Sequence, residues 1–229
     1  MILRANRLCV KSFNGVNFYL MAAICVIALV LPASPTFAAK KVLDENLDTN
    51  TLKLMAQHGQ LIHLAYDGED LTYRTVIMLV DAPLDVVWNV ITDIENYGEF
   101  IPEMLAPKII SKKNDEVIAE HIVQVKIILG VSASEKYTTR YVFKKPRVYM
   151  SDPKKPKVEP GYWEVKPVDG GSKTLLLYTD PAPNLAEMGT MVKTVVRVKP
   201  ELGLALQVSP VSILVKAIKT RSEALAKKK

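Results

Sequence analysis

Residues 76–104 read VIMLVDAPLDVVWNVITDIENYGEFIPEM, and this stretch decides the fold of the chain. It opens as an apolar strand and turns at residues 81–83, where Pro83 suits the first turn of a helix because no N–H is needed there. Apolar residues then recur at helical spacing, which predicts a short helix with one face against a core. That face consists of Leu84, Val87, Trp88, Ile91 and Ile94. After residues 96–98 the chain becomes apolar again at residues 100–102.

The chain on either side of this stretch predicts an antiparallel sheet. A short helix capped by Asp48 and a hairpin of residues 61–66 and 71–80 lead into it. Later strands, separated by turns rich in Gly, Pro, Asn and Asp, are predicted at residues 108–112, 116–129, 132–144, 147–151, 162–168 and 172–179. Ser209 followed by Pro210 predicts the start of a C-terminal helix. Residues 185–198 fit either a preceding helix or, at their end, a strand.

The order strand, Ala-Pro, Trp-bearing helix and Tyr-x-x-Phe-x-Pro resembles the opening of a START-like, helix-grip (SRPBCC) domain. The polyketide cyclase and coenzyme Q-binding branch is the most similar, through EKYTTR at residues 135–140, GYW at 161–163 and DGG at 169–171. The resemblance spans roughly residues 60–226. It implies an α+β fold in which a curved antiparallel β-sheet wraps around a long C-terminal helix and encloses an apolar cavity for one hydrophobic molecule.

The N-terminus predicts export. Arg4, Arg7 and Lys11 precede an uncharged apolar run at residues 18–31, and the small residues of 36–38 suit cleavage after Ala38. We therefore predict a signal peptide over residues 1–38, an N-terminal extension with a short helix over 39–60, a START-like domain over 61–226 and a basic tail over 227–229. The predicted location is the periplasm or the secreted fraction. An uncleaved membrane anchor is the alternative.

The cysteine content and the net charge of the chain argue against some classes of function. Cys9 and Cys25 both lie in the predicted signal peptide, so the mature chain is expected to have neither disulfides nor thiol chemistry. The chain carries a net charge of +6, of which three charges belong to the signal peptide. The remaining small excess suits weak attraction to anionic lipid headgroups and gives no reason to expect nucleic acid as a partner.

Alternation along the two central strands predicts which side chains face the cavity. The apolar faces must point inward, because a shift by one residue would bury the lysines. His121 and Glu135 are the polar exceptions on these apolar faces, and we expect them to orient a ligand headgroup. The alternative is that each pairs near a strand end and touches no ligand. The predicted ligand-binding residues are His121, Val123, Val125, Glu135, Tyr137, Tyr141 and Trp163.

A second predicted surface is a rim for transient contact with a membrane. It combines the apolar tip of the central hairpin with lysines of the next turn, each of which contributes about 1 kcal/mol near an anionic surface. Its residues are Ile127, Ile128, Leu129, Lys144 and Lys145. Solvation alone is the alternative explanation for the lysines.

No catalytic residues, metal ligands or cofactors are predicted. The three histidines lie in no nucleophile elbow and no His-x-His pair, and the spaced carboxylates around Glu99 suit a solvated surface. The leading hypothesis is a carrier or binding protein for a lipid-like molecule, such as an isoprenoid quinone, polyketide, fatty or sterol-like compound. The alternatives are a cyclase or dehydratase that uses a pocket Tyr, His121 or the less favoured Arg140, and an interaction module with a filled core.

Overall fold

The computed structural model describes residues 48–128, 131–183 and 200–228, without the side chains of residues 125–133, 200 and 201. The predicted signal peptide falls outside these ranges, and so do residues 185–198, which fitted either a helix or a strand. The elements run in the order α1 (Thr49–Ala56), β1 (Leu61–Asp67), β2 (Asp70–Val80), α2 (Leu84–Thr92), a 3₁₀ turn (Ile94–Asn96), α3 (Tyr97–Phe100), β3 (Lys108–Lys113), β4 (Glu116–Ile128), β5 (Val131–Lys144), β6 (Arg147–Ser151), β7 (Gly161–Val168), a 3₁₀ turn (Asp169–Gly171), β8 (Lys173–Pro181) and α4 (Pro200–Ala226).

The strands form one antiparallel sheet in the order β1-β2-β8-β7-β6-β5-β4-β3. Consecutive strands pair as hairpins, except that β2 pairs with β8 and so brings the first hairpin beside the last. The predicted strands agree with the observed ones to within two residues at each end. The α+β architecture with a curved sheet and a C-terminal helix is therefore confirmed.

The main core lies between one face of this sheet and the helices α2 and α4. Val87, Ile91 and Ile94 are buried as their spacing predicted, and Val86 and Val90 are buried beside them. The long helix contributes Val215 and Ile218, which are inaccessible to solvent. By length and composition alone α4 could also cross a membrane from Leu202 to Ala226.

A smaller core covers the opposite face of the sheet. Its buried residues are Leu52, Ala56, Ile77, Val168, Leu175 and Leu177. Helix α1 supplies the first two, and its N-terminus is capped by Asp48, whose carboxylate accepts hydrogen bonds from the backbone N–H groups of Asn50 and Thr51. The first helix thus anchors the outer face of β2 and β8, while α4 occupies the inner face.

The predicted start of the C-terminal helix at Ser209-Pro210 is wrong. Helix α4 begins at Pro200 and carries Pro210 in its interior. A proline inside a helix removes one backbone donor. Here the affected acceptor is the carbonyl of Leu206, and the guanidinium of Arg74 donates to the next carbonyl, that of Gln207, so a side chain from β2 binds the helix beside the interruption.

Gly98 gives a first prediction about this framework. A Cβ atom at this position would lie 2.6 Å from the backbone nitrogen of Ala106, a contact that only a backbone shift relieves. We expect Gly98→Ala to lower the free energy of unfolding by about 1–3 kcal/mol, the usual cost of overpacking. Urea denaturation measures this, with Glu95→Ala as the control because it removes only an exposed ion pair with Lys112. Equal stability of the two variants would contradict the prediction.

Candidate ligand-binding cavity

Two adjoining compartments lie between the inner face of the sheet and α4. Their volumes are about 490 and 500 Å³. The side chains that border both are Arg74, Met104, Tyr137, Tyr178, Asp180 and Leu214. Each compartment lies in the size range of small-molecule sites, which is about 300–1,000 Å³.

The first compartment is mainly apolar. Helix α4 forms one wall, and the turn after α3 forms the other, where Met104 pairs with Val123 of β4 in an isolated β-bridge. Hydrogen bonds from Leu105 N to Ile122 O (2.9 Å) and from Gln124 N to Glu103 O (2.8 Å) hold this turn against the strand. Among the lining residues are Ile101, Leu202, Ala205, Leu206, Val211 and Ile213.

The second compartment is rich in hydroxyl groups. Tyr97, Tyr137, Thr139, Tyr141 and Ser151 contribute to its walls, together with the indole of Trp163. Two of these side chains are fixed by contacts. The Tyr97 hydroxyl donates to the Ile91 carbonyl over 2.7 Å. The Trp163 ring packs edge-on against Tyr178, with ring centroids 4.5 Å apart.

A buried ion pair joins the two compartments. The Arg74 Nε donates to Asp180 Oδ1 over 3.1 Å, and Nη2 donates to Oδ2. The Tyr178 hydroxyl adds a long hydrogen bond of 3.3 Å to the same carboxylate. Arg74 is 7 % exposed, so nearly all of its guanidinium is withdrawn from water. The geometry is that of a bidentate arginine–carboxylate pair, which is the strongest kind of side-chain hydrogen bonding.

Sequence reasoning missed this pair, although one signal was present. Arg74 shares strand parity with Val76, Met78 and Val80, all of which face the main core. A lone arginine on an inward apolar face of a strand requires a partner. Asp180 is its direct neighbour in the register of β2 and β8, a pairing that the sequence does not specify.

His121 is held between two tyrosines of β5. It is completely buried, its Nε2 lies 2.9 Å from the Tyr141 hydroxyl, and its ring stacks on Tyr137 with centroids 5.2 Å apart. Its Nδ1 has no hydrogen-bond partner within the described part of the chain. His121 and Tyr137 are opposed in the strand register, so the stack is a cross-strand pair.

Burial controls the titration of these rings. Desolvation lowers the pKa of His121 to about 4, which keeps the imidazole neutral at pH 7. Desolvation, and then the charge of Glu135, raises the pKa of Tyr137 to about 12. The pKa of Tyr141 is raised well above its ordinary value, first by desolvation. The pair of His121 and Tyr141 is therefore neutral on both sides, and the phenol acts as a hydrogen-bonding group rather than as a phenolate.

His121 should make stability depend on pH. Its pKa is about 4 in the folded state and 6.5 when unperturbed, so the unfolded chain binds more protons between these values and the protein loses stability as pH falls through that window. The loss is on the order of 3 kcal/mol. We expect His121→Gln to reduce this dependence, measured by urea denaturation at pH values across the window. His58→Gln, at an exposed position, is the control, and equal pH profiles for the two variants would contradict the assignment.

The predicted ligand-binding residues divide into three groups. Val123, Tyr137, Tyr141 and Trp163 line the compartments. His121 is not among the lining residues and lies behind Tyr137, because the stacked ring covers it. Glu135 is exposed on β5 and borders neither compartment, so the expectation that it projects into the cavity is not met. The Val125 side chain lies outside the described residues.

The predicted membrane rim does not form one edge. Leu129 and the side chains of Ile127 and Ile128 lie outside the described residues. Lys144 ends β5 and Lys145 follows it, whereas the tip of the central hairpin precedes β5 at its other end. A strand of this length separates the two groups by about 40 Å. Lys145 instead pairs with Asp85 over 2.6 Å.

Arg140, the less favoured candidate for pocket chemistry, faces away from the cavity. Its guanidinium binds Glu116, with Nε 2.9 Å from Oε2. Its outward strand parity predicted this position. Among the residues that the structure describes, no three His, Cys, Asp or Glu side chains come together as a metal site would require.

The sequence of residues 80–220 matches the family model described as "Polyketide cyclase / dehydrase and lipid transport". The chain belongs to this polyketide cyclase/dehydrase and lipid transport family. The START-like resemblance predicted from residues 76–104 is thereby confirmed, and the cavity is that of a hydrophobic-ligand-binding or cyclase-type family member.

Two solved structures that resemble this family member share little of its sequence. It is 15 % identical to the protein TTHA0849 of Thermus thermophilus, with a TM-score of 0.51 over 66 % of this chain and 97 % of that one. The STAR-related lipid transfer protein of Xanthomonas axonopodis is 12 % identical, with a TM-score of 0.49 over 70 % and 98 %. The likeness to TTHA0849 concerns the fold alone.

One curated relative shares more sequence over a short stretch. It is named "Ribosome association toxin RatA", from Rickettsia prowazekii (strain Madrid E), and is 41 % identical over 58 residues. That stretch is 25 % of this chain and 34 % of the relative, so the match spans about a third of the relative's length.

Proposed function

We propose that this family member is a carrier or binding protein that holds one hydrophobic, lipid-like molecule between the sheet and α4. The observation that carries the proposal is the apolar compartment of about 490 Å³, which lies against α4 and adjoins a hydroxyl-rich compartment of similar volume. An apolar body with one polar end would fit this division. Isoprenoid quinones, polyketides and fatty or sterol-like compounds all have that form.

The free energy expected from burying a ligand in this cavity is compatible with reversible binding. Burying roughly 300 Å² of apolar ligand surface at about 25 cal/mol per Å² contributes about 7–8 kcal/mol. Part of this is offset by the loss of translational and rotational freedom on binding. The remainder corresponds to an affinity in the micromolar range or weaker. Such an affinity allows release, as a carrier requires.

The predicted signal peptide supports a place outside the cytoplasm for this carrier. The test is fractionation of cells that express the full chain, followed by N-terminal sequencing of the exported form. Cleavage after Ala38 is the expected result. A protein that keeps its N-terminus and stays in the cytoplasm would overturn this part of the proposal.

The test of ligand binding is native mass spectrometry of the protein purified without detergent, with organic extraction of whatever accompanies it. We expect one stoichiometric hydrophobic molecule, whose identity gives the ligand class. An empty protein that also takes up no fluorescent fatty or isoprenoid probe would overturn the proposal and favour an interaction module.

A cyclase or dehydratase is a second candidate, favoured by the Tyr141 hydroxyl, which lines the polar compartment and contacts His121. In this role the phenol would donate a proton or a hydrogen bond to a reactive carbonyl of the bound chain. Tyr141→Phe should then abolish turnover of the extracted ligand and leave its binding intact. Extraction of an unmodified molecule after incubation with wild-type protein would count against the enzyme.

Ribosome association is a third candidate, favoured only by the short match to the toxin RatA. It is incompatible with export, because an exported protein does not meet ribosomes. Sedimentation of a cytoplasmic extract through a sucrose gradient separates the two. Migration with ribosomal particles would support association, whereas recovery in the periplasmic fraction would exclude it.

A further inference from the structure

Four polar side chains separate the two compartments and border both. They are Arg74, Tyr137, Tyr178 and Asp180, and we refer to them as the polar partition. A ligand long enough to occupy both compartments passes these four side chains together with Met104 and Leu214, the two apolar residues that also border both. The chemistry of the partition therefore decides which polar groups such a ligand can carry.

The partition has no net charge. Arg74 contributes one positive charge, and Asp180 neutralises it through two hydrogen bonds within the buried pair. A buried charge is stable only when it is paired. An anionic headgroup in contact with Arg74 would lie close to the Asp180 carboxylate, and the two negative charges would repel each other.

The other charged side chains that border the compartments also disfavour an anionic headgroup. Asp152, Lys155 and Glu159 border the hydroxyl-rich compartment, and Glu103 borders the apolar one. These four add three negative charges and one positive charge, so the walls as a whole are net negative. All four residues are exposed to solvent, so they add only a weak, salt-screened repulsion to the loss of hydration that a carboxylate or phosphate suffers on entering.

The partition still offers hydrogen bonds to a neutral group. A guanidinium carries five N–H donors. Asp180 and the Gln207 carbonyl use three of the Arg74 donors, and the other two have no acceptor among the residues that the structure describes. The Tyr137 hydroxyl makes no hydrogen bond to any residue that the structure describes, and its ring is held in place by the stack on His121. These groups are suited to an oxygen that accepts hydrogen bonds.

We infer that the polar partition selects ligands whose headgroup is an uncharged oxygen acceptor, such as a hydroxyl, ketone or quinone oxygen, and discriminates against carboxylates and phosphates. This inference rests on the proposed function, because it assumes that a ligand occupies both compartments. It narrows the ligand class to neutral amphiphiles and excludes free fatty acids and phospholipids as preferred cargo.

The test compares three probes of equal chain length on the full-length protein. They are a saturated fatty alcohol, the corresponding fatty acid and the corresponding alkylamine, each competing with a bound fluorescent probe at about pH 8, where the acid and the amine are charged. We expect the alcohol to bind at least about tenfold more tightly than the acid. Equal or tighter binding of the acid or the amine would overturn the inference.

Asp180→Asn provides the matched variant. It leaves the Arg74 charge uncompensated, so the ratio of acid affinity to alcohol affinity should rise at least about tenfold. Glu120→Gln is the control, because it removes a carboxylate that pairs with Lys136 on the outer face of the sheet. An unchanged ratio in a folded Asp180→Asn protein would overturn the inference.

The outcomes distinguish failure of the proposed function from failure of the inferred selectivity. If none of the three probes binds to the wild-type protein, the proposed function fails and the question of selectivity does not arise. If the probes bind without regard to charge, the cavity is a ligand site and only the inferred selectivity is wrong. The wild-type comparison remains decisive even where Asp180→Asn lowers stability too far to be measured.

Discussion

Replacing Arg74 with methionine is expected to lower the free energy of unfolding by about 3–5 kcal/mol, which is the cost of leaving one partner of a buried ion pair uncompensated. The change removes both hydrogen bonds to Asp180 and the bond to the Gln207 carbonyl beside Pro210. It therefore weakens the attachment of α4 to β2 as well as the polar partition. Urea denaturation at about pH 7, followed by tryptophan fluorescence, measures the loss.

The same variant should depend on pH in a defined direction. Desolvation already raises the pKa of Asp180, and the guanidinium of Arg74 opposes that rise. Without Arg74 the folded-state pKa of this carboxyl rises further, so the folded protein binds a proton that the unfolded chain releases. Stability then falls as pH rises above the unfolded value of about 3.9. Arg74→Met should accordingly lose less stability, relative to wild type, at about pH 4 than at about pH 7.

A double variant serves as the control for charge. Arg74→Met combined with Asp180→Leu removes both ions, and apolar replacement of a whole buried pair is often neutral or stabilising. We expect it to recover most of the stability that the single variant loses. If the double variant is as unstable as Arg74→Met alone, then the helix contact at Gln207 rather than the ion pair carries the effect.

Most of the fold follows from patterns that act over short distances. The alternation on β4 and β5 placed Val117, Ala119 and Tyr141 in the core, where they are buried. This succeeds because a slip of one residue would exchange an apolar face for one that carries lysines. Burial of a strand face is dictated by its own sequence, and the pairing partner only completes it.

The first residue of α4 could not be predicted from a local sequence pattern of this kind. Ser209-Pro210 has the local chemistry of a helix start, yet the helix begins at Pro200. The helix continues through this local start signal, and Arg74 binds the Gln207 carbonyl beside the interruption at Pro210. That support comes from a residue more than a hundred positions earlier in the sequence, so no local pattern reveals it.

The polar residues of the cavity were the least predictable part. Glu135 has inward parity but is exposed, whereas Arg74 has inward parity and is buried. The alternation of side chains along a strand does not distinguish Glu135 from Arg74. The difference is that Arg74 lies opposite Asp180 in the pairing of β2 with β8, two strands that are far apart in the sequence. Glu135 instead lies near the end of the central hairpin.

A large effect on ligand binding is expected from Ala205→Trp. Ala205 lies on α4, borders the apolar compartment and is exposed, so a larger side chain can extend into the compartment without displacing a packed neighbour. An indole covers about 150–250 Å², which is comparable with the apolar surface that a bound ligand would bury. We expect the affinity for a fluorescent fatty probe to fall at least about tenfold, with little change in stability.

The matched control is Leu204→Trp, one residue earlier on the same helix. Leu204 is 41 % exposed and borders neither compartment, so the added indole stays in solvent and binding should be unchanged. Titration of both variants with the same probe, together with their circular dichroism spectra, separates blockage of the cavity from damage to the helix. Full affinity in a folded Ala205→Trp protein would show that the ligand lies elsewhere. A parallel loss in Leu204→Trp would instead point to a binding surface on α4 around Leu204, outside both compartments.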